Sequence, residues 1–390
     1  MGWLRFAQAG FFTRLFAGVF GSGVLLLAGP LSVNASGAIA PCGPAPFCYG
    51  PAQLRAAYDV PSDITGAGLT IVIIDAYQGP LVANELLVKH DLAQFDAAFG
   101  QPEAHLQVFA PDGSTPFDHT NALQVKWVGE ESTDVEWAHA IAPGANLVLV
   151  EAKTADDADI LSATKYAIDH NLGDVISMSF SEAESCPTAH FLADEHAAFE
   201  RAVAQGITLV AASGNNGGLQ HDCNGALVEA VGTPASDPLV TAVGGTDLTI
   251  DPTAGTQSEI AWRPSGGGFS ALYTRPAYQA PFQKNHGARG LPDVAWNASQ
   301  FHPTAIVFNG RLRPFAGTSV ATAEWAGVVA LVDKAAGHRL GAINEALYHA
   351  GKSNDAANRF HSMGGDGWDK SSGLGTPDVS NLIAWIAQRF

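Results

Sequence analysis

Short runs of β-branched and aliphatic residues punctuate the chain at 69–74, 146–151, 174–180, 207–212 and 239–243. Each run is continuously apolar rather than alternating, which is the pattern of a strand buried on both faces. Between and beyond them, apolar residues recur at helical spacing over 86–99, 133–141, 156–170, 192–205 and 319–336. Strands alternating with helices predict an α/β fold, doubly wound, with a mostly parallel sheet and helices on both faces. After Gly244 the chain becomes loop-rich, with Gly266-Gly267-Gly268 and several prolines, before a strand at 304–308 and the last long helix. No internal repeat and no linker divides residues 49–390, which are expected to form one domain, with 36–48 as a short tail.

The first segment follows other rules. Residues 1–35 contain no acid, carry Arg5 and Arg14, and run apolar from Leu15 to Leu31 towards the small-residue stretch Val33-Asn34-Ala35. A basic start, an apolar middle and a small-residue cleavage site predict a secretory signal peptide. The mature chain is then extracellular, with no later apolar run long enough to span a membrane. Export also changes how the four cysteines are read. Cys42, Cys48, Cys186 and Cys223 allow three connectivities, of which Cys42–Cys48 with Cys186–Cys223 is the most economical.

Composition narrows the partners. Apolar residues make up 47% of the 390, enough for a sizeable core. Lys plus Arg number 20 against 38 Asp plus Glu, a net charge of -18, and no segment is basic. Binding a nucleic acid needs clustered cations, so that class is excluded.

Three segments could carry chemistry. Gly317-Thr318-Ser319 puts a hydroxyl at the start of an apolar helix, where unpaired amides favour a developing anion. Alone, Ser319 reads as a helix cap. Glu130 and Asp134 are four apart, so on a helix their carboxyls share one face and raise each other's proton affinity. Alone, they read as a solvated acidic helix start. Ser213-Gly214-Asn215 follows a buried strand and could offer an amide donor, although Asn and Gly are common turn formers.

Together these segments resemble one family. The order Ile73-Ile74-Asp75, Asp134-Val135-Glu136-Trp137-Ala138-His139, Val243-Gly244-Gly245-Thr246, Gly266-Gly267-Gly268-Phe269-Ser270, Pro292-Asp293-Val294, Gly317-Thr318-Ser319 and Gly373-Leu374-Gly375-Thr376-Pro377 resembles the sedolisins, serine-carboxyl peptidases with a subtilisin-like fold. The resemblance implies Ser319 as nucleophile, Glu130 as its base, Asp134 as the acid behind Glu130, and Asn215 at the oxyanion. It implies Ser177, Ser179 and Gly214 in substrate binding, a polypeptide substrate, acid-pH hydrolysis through an acyl-enzyme, and a monomer. It also implies calcium held by Asp369 with the carbonyls of Gly365 and Gly367, although the first half of the family's calcium motif is depleted here. No His-Gly-Thr-His segment follows Asp75, so a histidine base is not expected.

Three positions depart from the family pattern: Asn215 stands for an aspartate, Ser181 for a glycine and Ala323 for a proline. An amide donates a hydrogen bond at any pH, whereas an aspartate must be protonated first, so activity is expected to reach nearer to neutrality. The competing expectation from the same departures is a secreted pseudopeptidase that binds peptides without cutting them.

Overall fold

The computed structural model describes residues 40–41, 47–82, 84–251, 257–283, 286–353, 355–364 and 367–390. The expected signal peptide and Cys42 lie outside them. An eight-stranded sheet forms the centre. In chain order its strands are β1 Thr70–Ala76, β2 His105–Phe109, β3 Asn146–Ala152, β4 Val175–Met178, β5 Thr208–Ala212, β6 Val240–Ile250, β7 Gln257–Ala261 and β8 Val294–Asn297. In space they run β2-β3-β1-β4-β5-β6, with β7 and β8 both paired to β6. Every pairing is parallel except β6 with β7.

The alternation along each strand divides the core in two. Ile71, Ile73, Leu147, Leu149 and Val243 face the helices Ala122–Ile141 and Thr318–Ala336. Val72, Ile74, Val148, Val150 and Leu209 face Asp157–Asp169 and Ala189–Ala204. This two-sided burial is why the strands read as unbroken apolar runs. It also bears out the doubly wound α/β class.

Two boundaries differ from expectation. The helix expected over 133–141 starts at Ala122, capped by Asn121 Oδ1, which accepts from Leu123 N (3.0 Å) and Gln124 N (3.4 Å). Its periodicity is hidden because it is buried on nearly every side from Trp127 onward. Glu130 and Asp134 are therefore in mid-helix and buried, not at a solvated start. The strand at Thr304–Val307 forms, but it pairs with Leu312–Phe315 in a hairpin outside the main sheet.

Cys48 is disulfide-bonded. The expected Cys186–Cys223 bridge is not formed: both are free thiols, close enough for a hydrogen bond that helps hold the Cys186 thiol protonated. No described helix is long and apolar enough to cross a membrane.

Candidate active site

The sheet brings its chemistry together at the carboxyl ends of β1, β4 and β5, where the strand order reverses about β1. Asp75 is the penultimate residue of β1, Ser179 follows β4, and Ser213–Asn215 follow β5. Two helices close on this edge from one face. Gly327 lets them meet: a Cβ there would lie 2.6 Å from Cβ of Ile141, so only glycine fits between them. Buried indoles fix their other contacts, Trp137 Nε1 donating to Ala305 O and Trp325 Nε1 to Ala295 O, both at 2.9 Å.

Ser319 is the second residue of its helix, reached through Gly317 at φ 142°, a conformation that side chains rarely adopt. Its Oγ donates to Ser179 O at 3.2 Å and also meets the Glu130 carboxylate. Ser179 returns the contact, its Oγ donating to Ser319 O at 3.3 Å. Burial pushes Glu130 up to about 7, and the Ser319 hydroxyl partly opposes that rise. Asp134, one turn on and fully buried, is pushed well above the carboxylate range by burial first and by the Glu130 charge second. The Ser179 hydroxyl partly opposes the rise at Asp134, while Glu130 Oε1 lacks a hydrogen-bond partner.

Asn215 faces the helix start. Its Oδ1 accepts from Thr318 N at 2.8 Å and from Thr318 Oγ1 at 3.0 Å. That orientation turns Nδ2, a donor, away from Thr318, and Asn215 lines the same cleft as Ser319. Unpaired amides of the helix's first turn add to the positive potential there.

The cleft encloses about 890 Å³ and holds Ser319, Glu130, Asn215, Ser179 and Gly214 on its walls. Ser177 is not brought to it: it lies within β4, fully buried, its Oγ without a partner. Ser181 lines both the cleft and a smaller neighbouring pocket. Ala323 is buried in the uninterrupted helix Thr318–Ala336. His139 is buried under Pro102 O (2.9 Å) and Asp96 (3.3 Å), away from the nucleophile's hydrogen bonds.

Of the other buried acids here, the sequence singles out Asp75 alone, and Glu131 and Glu151 are missed. Asp75 is fully buried, both oxygens unpartnered, and raised by burial and then by Asp134, Glu130, Glu131 and Glu151 in turn. Glu131 and Glu151 are buried behind it, and Gln78 Nε2 donates to Glu151 Oε2 at 2.5 Å. Asp75 and Glu151 each end or interrupt an apolar run, which is the signal that marks them, whereas Glu131 directly follows Glu130.

The calcium expectation fares differently. Asp369 Oδ1 accepts from Ser371 N (2.7 Å) and Ser372 N (3.0 Å), and Oδ2 from Ser372 Oγ (2.5 Å). Its carboxylate closes a turn and has its lone pairs engaged. Gly365 lies outside the described residues, and Gly367 is in a left-handed turn. Among the described residues no group of three or more His, Cys, Asp or Glu converges.

The sequence pattern of the subtilase family matches residues 127–373, a span that holds Glu130, Asp134, Asn215 and Ser319. The chain belongs to the subtilase family. Kumamolisin of Bacillus sp. (strain MN-32) is 31% identical over 87% of this chain and 64% of its own length. Sedolisin of Pseudomonas sp. (strain 101) is 28% identical over 87% of this chain and 61% of its own. The chain thus spans less than two thirds of these relatives. A solved structure of Pseudomonas sedolisin, a serine-carboxyl proteinase complexed with two molecules of pseudo-iodotyrostatin, superposes with a TM-score of 0.76 at 28% identity. It covers 88% of this chain and 98% of that one. The sedolisin resemblance and the subtilisin-like fold are borne out.

Proposed function

We propose that the chain is a secreted serine-carboxyl endopeptidase that hydrolyses peptide bonds through an acyl-enzyme on Ser319. What supports this most is the contact of Ser319 Oγ with a buried carboxylate, Glu130, whose proton affinity lies near neutrality. Glu130 takes the hydroxyl proton as Oγ bonds to the substrate carbonyl carbon. Asn215 Nδ2 and the first-turn amides receive the oxyanion. The C–N bond breaks, Glu130 gives its proton to the leaving amine, and water then releases the acyl group by the same route. Asp134 keeps a proton that it can donate towards the unpartnered Glu130 Oε1.

The pair sets the pH range. Glu130 must be ionised to act as base, so activity rises as pH climbs towards its value of about 7. Asp134 must stay protonated, so activity falls when its raised pKa is passed. The activity proposed therefore climbs through acid pH and is highest near neutrality. Ser179 and Gly214 would lie along the bound peptide, with Ser177 supporting that strand from beneath. Sedolisin and kumamolisin motivate the substrate class by family membership.

The test is hydrolysis of an unfolded protein from pH 3 to 8 by the mature chain, beside Ser319→Ala and Glu130→Gln. Each variant is expected to lose about 10⁴-fold or more in kcat. A folded wild-type chain that binds peptide and cuts nothing would instead establish a pseudopeptidase.

A further inference from the structure

The charges around the cleft are opposite to those of the rest of the chain. Although acids outnumber Lys plus Arg by 38 to 20 overall, one carboxylate lines the cleft among the described residues, Glu130. Four basic side chains line it as well: His119, Lys126, His221 and Arg313. They come from separate parts of the chain. His119 is exposed in the loop before the acid-bearing helix, and Lys126 lies one turn ahead of Glu130 on that helix. Arg313 is exposed on the strand Leu312–Phe315, six residues before the nucleophile. His221 is buried, its Nδ1 beside Gly225 O at 3.1 Å.

The walls between these groups are apolar, including Ile306, Phe308, Pro314 and Phe315. Low-dielectric walls focus the field of the cations into the cleft. The positive end of the acid-bearing helix points the same way. Across Phe180 and Ser181 the neighbouring pocket of about 40 Å³ is lined by Asp157, Glu182 and Glu195, acids whose proton affinity burial raises.

We infer that the cleft selects polypeptides bearing a carboxylate beside the scissile bond, on the side facing Arg313. The inference rests on the peptidase reading of the same site and deepens it. The carboxylate could be an internal Asp or Glu side chain or the substrate's own C-terminus, which offer the same chemistry. In either case recognition needs the substrate ionised, so it fades below about pH 4, where carboxyls take up protons. It also weakens with salt, since exposed charges are screened beyond about 10 Å at 0.1 M.

The experiment uses one fluorogenic peptide in matched forms: neutral, with Glu or Lys scanned through the flanking positions, and with a free or an amidated C-terminus. kcat/KM is measured at pH 6 and pH 3.5 for the wild type and Arg313→Glu, and binding of the same peptides is measured on Ser319→Ala. At pH 6 the best Glu peptide is expected to exceed the neutral one by about fivefold to tenfold, roughly one to two exposed charge contacts. The ratio should shrink at pH 3.5, and Arg313→Glu should invert it in favour of Lys. A dependence that follows the free C-terminus alone assigns the carboxylate to the chain end. Equal cleavage and equal binding of Glu and neutral peptides would overturn the inference and leave the peptidase reading intact. Glu-selective binding with no hydrolysis would uphold the cleft's selectivity and overturn the peptidase reading.

Discussion

Glu130 and Asp293 are both buried acids, and the protein treats them in opposite ways. Asp293 has a partner on every side. Arg289 Nη1 and Nη2 donate to its two oxygens at 2.6 and 2.5 Å, with Ala242 N at 2.8 Å and Tyr348 Oη at 2.9 Å. Glu130, by contrast, has an oxygen with no donor and other acids around it. A carboxylate that holds structure is surrounded by donors that occupy its oxygens. One that must pass a proton is left short of donors, so its two states come close in free energy.

This contrast can be broken by stability measurements. Asp293→Ala leaves the Arg289 guanidinium buried and unpaired, and is expected to cost about 3–5 kcal/mol in urea unfolding. Glu130→Gln removes a charge that burial disfavours, and should shift stability by about 1 kcal/mol or less, in either direction. Comparable losses in both would mean that Glu130 is also structural.

Kinetics sharpen the same contrast around Asn215, whose two amide ends are split between holding Thr318 and facing the cleft. Asn215→Ala should lower kcat by about 10²–10³ with KM little changed. Asn215→Asp keeps the acceptor for Thr318 but donates only when protonated. Its active range should therefore narrow to lower pH than the wild type, and an unchanged range would exclude the amide from the oxyanion site.

Much of this arrangement was legible in the sequence, though unevenly. The strands of the sheet centre stood out because burial on both faces leaves unbroken apolar runs such as Ile71–Ile74. The edge strand His105–Phe109 did not, since its residues are half exposed and mixed in character. Ser319, Glu130 and Asn215 were each ambiguous alone, and only their order with the glycine and proline motifs pointed to one family. The helix around Glu130 hid its length, because a helix buried all round has no polar stripe to betray its period. Asp75, Glu131 and Glu151 lie at three separate places in the chain. Only the parallel register of β1 with β3, which sets Asp75 beside Glu151, makes part of them a group. Asp369 has the residue type a calcium site needs, and its oxygens accept hydrogen bonds within its own turn.

The buried acids also make folding an act of proton uptake. Unfolded, these carboxyls release their protons near pH 4. Folded, Glu130 and Asp333 keep them to about 7, and Glu151, Glu182 and Glu195 to about 8. Groups raised in this way add stability in full below their unfolded pKa, and that stability is lost as pH climbs through the folded values. The surface acids held low, among them Asp118, Asp194 and Asp222, work the other way only at still lower pH. Calorimetry should therefore find the highest melting temperature near pH 4, a steady fall to about pH 8, and an unfolding enthalpy that depends on the buffer's own heat of ionisation. A flat profile would contradict it. A chain built this way is expected to hold together best where protons are plentiful and to loosen where they are scarce.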